Sequence, residues 1–276
     1  QEESMLTINE YRKVESLEEA YELNQKKNNK IIAGGVWMKI GDRRIATAID
    51  LSGLGLDQIT ETDTEFVIGA MTTLREIEKH AGLAAYTDGA IRESVRHIVG
   101  VQFRNCATVG GSIFGRFGFS DVLTVFLAMD TQVELYHAGM VSLKEFIDMP
   151  YDNDILVALH VAKKPIRIAY LSQRNTATDF PVVACALSEY DGSLHVSVGA
   201  RPVHARLVEL PLGSGEPDSF GKQLPEGFEK DEALVKELAT WCADQFTYGS
   251  NRRAGADYRE HVAGVLIRRA ICSLEK

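Results

Sequence analysis

The spacing of apolar and polar positions predicts a mixture of short strands and short helices over roughly the first 160 residues. Short apolar runs bounded by turn residues predict strands at residues 30–33, 48–51, 66–69 and 131–136. A Ser or Thr followed three residues later by Glu has the spacing of a capping box, which predicts helices at residues 16–28, 73–81 and 142–149. Two more helices are predicted, at residues 88–99 and from the capping pair Ser120-Asp121 to residue 129. The alternation indicates a mixed α/β part.

Beyond a boundary at residues 150–165 the pattern becomes that of an antiparallel sheet followed by helices. Strands are predicted at residues 155–161, 167–173, 182–190 and 194–200. Asp191-Gly192, between the last two strands, is a type I′ hairpin signal. Glycines and prolines predict a loop at residues 213–227, and helical spacing predicts helices at 230–246 and 257–274. Together the two parts favour the α+β class.

The acidic composition excludes some partners. The 276 residues include 30 Lys and Arg against 39 Asp and Glu, a formal net charge of −9. Nucleic acid is not an expected partner, because its binding relies on a surplus of clustered cationic side chains. No apolar stretch approaches the roughly 20 residues of a membrane span. The first residues, Gln-Glu-Glu-Ser, are acidic where a signal peptide is basic. We therefore expect a cytoplasmic protein.

The cysteines and histidines do not form a recognisable metal site. The four cysteines lie far apart, at positions 106, 185, 242 and 272, and the seven histidines contain no i, i+4 pair. We therefore predict no zinc site and no iron–sulfur cluster on this chain, because both need several ligands close together. No Ser/His/Asp, Cys/His or paired-carboxylate constellation stands out either. This favours a reaction carried by a cofactor.

Two glycine pairs offer a way to bind phosphate. Gly34-Gly35 follows a predicted strand, and Gly110-Gly111 follows Thr108-Val109. Glycine allows a positive φ and lets backbone N–H groups approach an anion closely. A single Gly-Gly pair is more often only a tight turn. Two convergent pairs could instead hold the two phosphates of a pyrophosphate.

The glycine pattern is not that of a Rossmann dinucleotide site. Gly53-Leu-Gly55 has the G-x-G of the fingerprint, but Gln58 stands where its third glycine belongs. The P-loop pattern, with its Lys followed by Ser or Thr, is also absent. A dinucleotide bound by this chain is therefore held in another way.

Four motifs in the same order and at matching separations resemble the FAD-binding subunit of the xanthine dehydrogenase and carbon monoxide dehydrogenase family of molybdenum hydroxylases. They are Ile32-Ala33-Gly34-Gly35, Ile68-Gly69-Ala70-x-x-Thr73, Arg104-Asn105-x-Ala107-Thr108-Val109-Gly110-Gly111-Ser112 and Ser120-Asp121. The resemblance covers the whole chain, because Arg174 after a predicted strand and Tyr258-Arg259 before the last helix also look like the family. The Thr-Val-Gly-Gly block combined with Ser-Asp is its most specific part.

The resemblance implies a fold of the vanillyl-alcohol-oxidase (PCMH) type. In such proteins two α/β subdomains hold the cofactor between them, and an antiparallel sheet with helices follows. We accordingly expect a FAD-binding domain at residues 5–162 and a C-terminal domain similar to that of carbon monoxide dehydrogenase flavoproteins at 163–276. FAD is the expected cofactor.

The resemblance also implies the residues that contact FAD. Those expected around the pyrophosphate belong to the two glycine segments: Ile32, Ala33, Gly34, Gly35, Val36, Trp37 and Met38 from the first, and Thr108, Val109, Gly110, Gly111 and Ser112 from the second. Asp121 is expected to bind cofactor hydroxyls, and its alternative is a helix N-cap. Phe114 is expected against the isoalloxazine ring and Leu156 near the flavin, and the alternative for both is core packing.

The chain departs from the family pattern at three places. Val36 stands where a Thr, Ser or other polar residue is usual, so only its backbone N–H remains for a phosphate. Ser112 replaces the commoner Asn. Leu171-Ser172 follows Tyr170 where a Lys is frequent, and a cation there would stabilise the reduced flavin.

By this resemblance the chain transfers electrons within a multi-subunit molybdenum hydroxylase of the xanthine, purine or aldehyde dehydrogenase type. Its partners are a large molybdopterin subunit and a small [2Fe–2S] subunit, and its FAD passes the electrons to NAD or another acceptor. Two alternatives remain open at this point. One is a stand-alone flavin oxidoreductase of the same superfold. The other is an assembly subunit without a cofactor, which Val36 and the missing Lys suggest.

Overall fold

The structure is a computed structural model that describes residues 5–212, 224–225 and 227–274. Most of the loop predicted at 213–227 therefore lies outside the described residues. The chain divides into two compact units, each built from three separate stretches of sequence. The first unit contains the described residues up to Glu76, Gly100–Gly115 and Gln132–Val161. The second contains Ile77–Val99, Arg116–Thr131 and the described residues from Ala162 onward.

A three-stranded parallel sheet carries the N-terminal segment of the first unit. Its strands are β1 (Thr7–Lys13), β2 (Lys30–Ile32) and β3 (Arg44–Asp50), with β3 in the middle. Strand β1 is missed by sequence reasoning because all seven of its residues are exposed, so it has no apolar run. Helix α1 (Leu17–Asn24) begins as predicted, since the Ser16 hydroxyl caps it, but it ends before residue 28 because the residues that follow are polar.

The second sheet of the first unit has five strands in the order β4-β5-β8-β6-β7. Their bounds are β4 (Ile59–Glu61), β5 (Glu65–Gly69), β6 (Thr131–Leu135), β7 (Gly139–Ser142) and β8 (Leu156–Ala162). The sequence pattern assigned residues 155–161 to the antiparallel sheet of the second part, and this is wrong. Strand β8 is the central strand here. Its continuous apolar run suits a strand buried on both faces in any sheet, so the run cannot identify its neighbours.

Short helices fill the connections. Their bounds are α2 (Leu74–Lys79), α3 (Ala81–Tyr86), α4 (Ala90–Arg96), α5 (Val101–Arg104), α6 (Val109–Phe114), α7 (Asp121–Leu127) and α8 (Leu143–Phe146). The predicted capping boxes are confirmed: the amide of Glu76 donates to the Thr73 hydroxyl at 3.2 Å, and that of Glu145 to the Ser142 hydroxyl at 3.2 Å. The glycine-rich stretch between residues 100 and 118 has no periodicity in sequence, yet it forms α5 and α6.

An antiparallel sheet packed against two helices forms most of the second unit. The strands, in the order β12-β11-β10-β9, are β9 (Arg167–Arg174), β10 (Pro181–Tyr190), β11 (Ser193–Gly199) and β12 (Arg206–Pro211). Helices α9 (Glu232–Asp244) and α10 (Ala256–Ser273) share one apolar core with this sheet. The β10–β11 hairpin turns at Asp191 and Gly192, whose φ values of 48° and 66° confirm the type I′ turn. Strand β12 is missed by sequence reasoning.

Candidate functional site

The first glycine turn presents unused hydrogen-bond donors. Strand β2 ends at Ile32, and the chain turns through residues 33–37 into a short 3₁₀ helix, Met38–Ile40. Gly35 has a φ of +64°, which a residue with a side chain adopts only under strain. The backbone N–H groups of Gly34, Gly35 and Val36 donate to no acceptor within the part of the chain that the structure describes. This turn can therefore offer three donors to an anion.

The two glycine segments lie side by side in the first unit. A Cβ built on Gly34 would come within 1.8 Å of the carbonyl oxygen of Cys106, two residues before Thr108. The backbones of the two segments are therefore in direct contact, which is the convergence that a pyrophosphate site requires. Only glycine fits at position 34, because any side chain there would overlap the backbone of Cys106.

The second glycine segment forms the first turn of α6, and most of its amides are already paired. The N–H groups of Val109 and Gly110 donate to the carbonyls of Thr72 and Ala70 at 2.9 and 2.8 Å. The N–H of Gly111 donates to the hydroxyl of the capping residue Thr108 at 3.1 Å. The N–H of Ser112 donates to the carbonyl of Thr108 at 3.2 Å, so all four amides from Val109 to Ser112 have acceptors in the protein. Because α6 packs against the chain at Ala70, a Cβ on Gly110 would lie 2.6 Å from the carbonyl oxygen of Ala70.

The remaining predicted residues of the first unit lie around these segments. The Trp37 ring is partly exposed and contacts Phe103 edge-on, with ring centroids 6.1 Å apart. The hydroxyl of Ser112 donates to the carbonyl of Thr108 at 3.0 Å. Phe114 is half-buried against Phe146, with centroids 6.0 Å apart. Leu156 is only 5% exposed, as core packing requires. Four other predicted residues are half-buried: Ile32, Ala33, Val36 and Met38.

Asp121, in the second unit, is the carboxylate of a buried ion pair. Ser120 is the N-cap of α7, because its hydroxyl accepts from the amide of Leu123 at 3.0 Å, so the N-cap alternative for Asp121 is wrong. The Oδ1 of Asp121 accepts from the Tyr170 hydroxyl and from Nη2 of Arg174, the latter at 2.5 Å. Burial raises the pKa of Asp121, and the charge of Arg174 opposes this shift. Asp121 thus connects α7 to β9.

Arg174 contacts the predicted site residue Asp121, and sequence reasoning missed this contact. Besides Asp121, its guanidinium donates to the carbonyl of Asp179 at 2.5 Å and to the hydroxyl of Ser172 at 3.2 Å. Its position directly after a predicted strand was the only signal in the sequence. The partner carboxylate is separated from it by 53 positions, so no local pattern could reveal the pair.

A family model described as "FAD binding domain in molybdopterin dehydrogenase" matches residues 6–163, more than half of the chain. The chain belongs to this family of FAD-binding subunits of molybdenum hydroxylases. The predicted resemblance and FAD as the cofactor are thereby confirmed, and the chain is an oxidoreductase subunit.

Similar proteins cover the chain almost from end to end. The Escherichia coli K12 protein named "Uncharacterized protein YgfM" is 25% identical over 271 residues, 94% of each chain. The carbon monoxide dehydrogenase medium chain of Afipia carboxidovorans is 29% identical over 259 residues, 87% of this chain and 86% of that one. The structure of reconstituted CO dehydrogenase from Oligotropha carboxidovorans contains a chain of 22% identity that matches with a TM-score of 0.81 and 96% coverage of both chains. This likeness confirms the predicted fold class.

The residues of the first unit fit the FAD of this family. A pyrophosphate needs donors held in place, and the turn at Gly34, Gly35 and Val36 has three N–H groups without an acceptor in the described residues. Gly111 is exposed at the end of the adjacent segment, where a Cβ would meet only the Thr108 hydroxyl, at 3.2 Å. Among the described residues, no group of three or more His, Cys, Asp or Glu side chains could hold a metal ion, and no helix is long and apolar enough to cross a membrane.

Proposed function

We propose that this chain is the FAD-carrying electron-transfer subunit of a multi-subunit molybdenum hydroxylase. A small partner subunit with [2Fe–2S] clusters supplies the electrons, a large molybdopterin subunit binds the substrate, and NAD or another acceptor takes the electrons from this chain. The complex is of the xanthine, purine or aldehyde dehydrogenase type, and its location is cytoplasmic. The family model and the similarity to a carbon monoxide dehydrogenase medium chain support this proposal.

One observation carries the proposal: the backbone contact between the two glycine segments at Gly34 and Cys106, beside three unused N–H groups. We assign the FAD-binding domain to residues 5–162 and the C-terminal domain to 163–276. The amides of Gly34, Gly35 and Val36 bind the pyrophosphate of FAD, and the exposed backbone of Gly111 borders it. When bound, FAD supplies the electron-transfer chemistry. The chain's own residues bind and orient the cofactor.

The proposed site residues fall into three groups by expected role. The first segment, from Ile32 to Met38, and the second, from Thr108 to Ser112, surround the pyrophosphate. Phe114 and Leu156 contact the isoalloxazine ring. Asp121 is assigned to hydroxyls of the cofactor chain, as the family resemblance implies.

A test of cofactor binding uses the cysteines already present. Cys106 and Cys272 are both exposed, whereas Cys185 and Cys242 are buried. Because Cys106 lies against the first glycine turn, bound FAD should slow the alkylation of Cys106 by iodoacetamide. Cys272, on α10, is the internal control and should react at the same rate with and without FAD. Mass spectrometry of the labelled peptides measures both rates.

Of the two alternatives, the assembly subunit without a cofactor is not supported, because the matching family model is that of a FAD-binding domain. A stand-alone flavin oxidoreductase differs from the proposed subunit in one respect: its own substrate would reduce its FAD without partner subunits.

A further inference from the structure

Residues 26–44, which include the first glycine turn, form a strongly basic segment of the first unit. In a chain with a formal net charge of −9, this segment has only one carboxylate, that of Asp42. Its six cationic residues are Lys26, Lys27, Lys30, Lys39, Arg43 and Arg44. Lys30 is half-buried, and the other five are exposed. The segment therefore presents positive charge to solvent on a chain that is negative as a whole.

The folded chain does not neutralise the cations of the basic segment. In the part of the chain that the structure describes, none of these six side chains forms an ion pair or a hydrogen bond with protein. Cations elsewhere are paired: Arg12 of β1 contacts Glu19 at 2.6 Å, and Lys164 contacts Asp130 at 2.7 Å. The charges of the basic segment are therefore available to a ligand.

Two of the cations lie close to the glycine turn. The backbone N–H of Lys39 donates to the carbonyl of Gly35 at 3.0 Å, so the 3₁₀ helix that carries Lys39 folds back on the turn. Lys30 begins β2, and the turn follows the last residue of that strand, Ile32. At the rise of a β-strand, Lys30 is no more than about 15 Å from the turn. Both charges therefore act at short range on an anion bound there.

The other four cations lie at the opposite end of the same sheet. Lys30 pairs with Ala48 in β3, so Arg44 is four residues, or about 13 Å, further from the turn. The two lysines before β2 lie near this end as well, because the carbonyl of Asn28 accepts from a backbone N–H of β3 at 2.9 Å. At this distance the four side chains cannot contact a phosphate at the turn. Their influence on it is purely electrostatic.

The second glycine segment adds no opposing charge. Residues 100–115 contain no Asp or Glu, and Arg104 is their only charged residue. This stretch borders the first glycine turn, because the carbonyl of Cys106 lies against Gly34. The two stretches that approach each other at the proposed pyrophosphate site therefore both carry a surplus of positive charge.

An anionic cofactor approaches this chain against its net charge. Each phosphate of FAD carries a negative charge at neutral pH, and the chain carries a formal net charge of −9. Charges interact over about 10 Å in 0.1 M salt and about 30 Å in 0.01 M salt. A local surplus of opposite charge at a binding site raises association rates by up to about a thousandfold. The basic segment supplies such a surplus at the proposed FAD site.

We propose that the basic segment steers FAD electrostatically to the first glycine turn, and that Lys26, Lys27, Arg43 and Arg44 do so without touching the cofactor. This rests on the proposed function, because FAD is the ligand that is steered. It separates the residues that attract the cofactor from those that hold it. Steering raises the association rate constant, kon, whereas loss of a direct contact mainly raises the dissociation rate constant, koff.

The test measures FAD binding to the full chain by stopped-flow fluorescence, after bound FAD has been removed. One variant combines Lys26→Gln, Lys27→Gln, Arg43→Gln and Arg44→Gln. Its kon should be about threefold below the wild-type value in 0.01 M salt. In 1 M salt, where charges are screened beyond about 3 Å, the two values should be equal. Its koff, measured from the fluorescence of released FAD after dilution, should stay at the wild-type value.

The matched control keeps the four charges and exchanges the side chains. It combines Lys26→Arg, Lys27→Arg, Arg43→Lys and Arg44→Lys, and its kon should equal that of the wild type at both salt concentrations. Melting temperatures establish that each variant is folded. Two smaller variants, Lys26→Gln with Lys27→Gln and Arg43→Gln with Arg44→Gln, should each show a smaller fall in kon, and they replace the fourfold variant if it does not fold.

Three results would overturn the proposal. The first is an unchanged kon for FAD in the Gln variants at 0.01 M salt, which would leave the basic segment to another partner, such as an acidic protein. The second is a fall in kon that persists at 1 M salt or also occurs in the charge-preserving control. The third is a raised koff with an unchanged kon. Failure of the proposed function is distinguishable, because a wild-type chain that binds no FAD at either salt concentration fails before any variant is compared.

Discussion

The carbonyl oxygen of Cys106 occupies the space that a side chain at Gly34 would need, 1.8 Å from the ideal Cβ position. Two backbones from distant parts of the sequence therefore touch. The contact brings the turn after β2 beside the segment that begins α6. Position 34 therefore requires glycine because a side chain would not fit there. Position 35 favours glycine because its φ is +64°.

Gly34→Ala should release FAD and destabilise the first unit. The new methyl group meets backbone rather than a movable side chain, so the two segments must separate, at a cost of about 1–3 kcal/mol in unfolding free energy. FAD content per chain and urea unfolding measure the two effects.

Gly41→Ala is the matched control for this change. Its Cβ would have only one neighbour, the carbonyl oxygen of Met38 at 3.4 Å, and its φ of −85° suits any residue. FAD content and stability should stay at the wild-type level. Equal loss of FAD in both variants would mean that general loosening of the segment, and not the Gly34 contact, explains the result.

Asp121→Ala should destabilise the protein far more than Ser120→Ala. The first change leaves the buried guanidinium of Arg174 without its carboxylate, at a cost of about 3–5 kcal/mol. The second removes the N-cap hydroxyl of α7, worth about 1 kcal/mol. Urea unfolding of the two variants, at a pH where Asp is ionised, measures the difference.

A second pair of variants, Asp121→Asn and Tyr170→Phe, tests whether Asp121 contacts FAD. Tyr170→Phe removes one hydrogen bond to Asp121 and keeps its charge, so it serves as a milder control at about 1 kcal/mol. A contact with FAD predicts weaker FAD binding by Asp121→Asn than by Tyr170→Phe. If FAD affinity simply follows the loss of stability in all variants, Asp121 acts only through the ion pair.

His160 should make the stability of the first unit depend on pH. It lies on β8 between Glu65 of β5 and Glu134 of β6, each 3.0 Å from one ring nitrogen. Burial lowers the pKa of His160, but hydrogen bonds and the charges of Glu134 and Glu65 outweigh it and raise the pKa above its usual value. A raised pKa means that the folded state holds the proton more tightly than the unfolded state.

The raised pKa of His160 determines how the stability of the first unit changes with pH. The stabilisation is fully present below the unfolded pKa of about 6.5 and is lost as the pH rises through the higher folded pKa. Because both Glu side chains are more than a third exposed, the effect should not exceed about 1 kcal/mol. His160→Gln should remove this step from melting temperatures recorded between acid and alkaline pH, and His261→Gln, at an exposed position of α10, should retain it. A step that persists in His160→Gln would assign it to another group.

The isolated, FAD-loaded chain should not accept electrons from a purine or an aldehyde. Its four cysteines lie at separate positions in the sequence, so we expect the iron–sulfur relay on a partner subunit. Substrate-dependent loss of the FAD absorbance should appear only after addition of the small iron–sulfur and large molybdopterin subunits. Absorbance loss in the isolated chain would support the stand-alone oxidoreductase.

Local signals predicted the elements around the site well. Helix caps and tight hairpin turns depend on bonds or φ angles within about four residues. All of those predicted here are observed: the caps at Ser16, Thr73, Ser120 and Ser142, and the hairpin at Asp191-Gly192. The glycine motifs, which are also local in sequence, identified the family. Helix ends were less accurate: α1 ends at Asn24 and α4 at Arg96, before the predicted ends at residues 28 and 99.

Tertiary structure alone decided which of these parts meet. The apolar run of β8 determined that it is a buried strand, but the pairing that places it between β5 and β6 depends on neighbours far away in the chain. The same holds for three other contacts. The backbone of Gly34 lies against Cys106. The N–H groups of Val109 and Gly110 donate to the carbonyls of Thr72 and Ala70, and Asp121 forms an ion pair with Arg174. None of these contacts leaves a periodic or local signal, because each is made between segments that only the folded backbone brings within hydrogen-bonding or van der Waals distance.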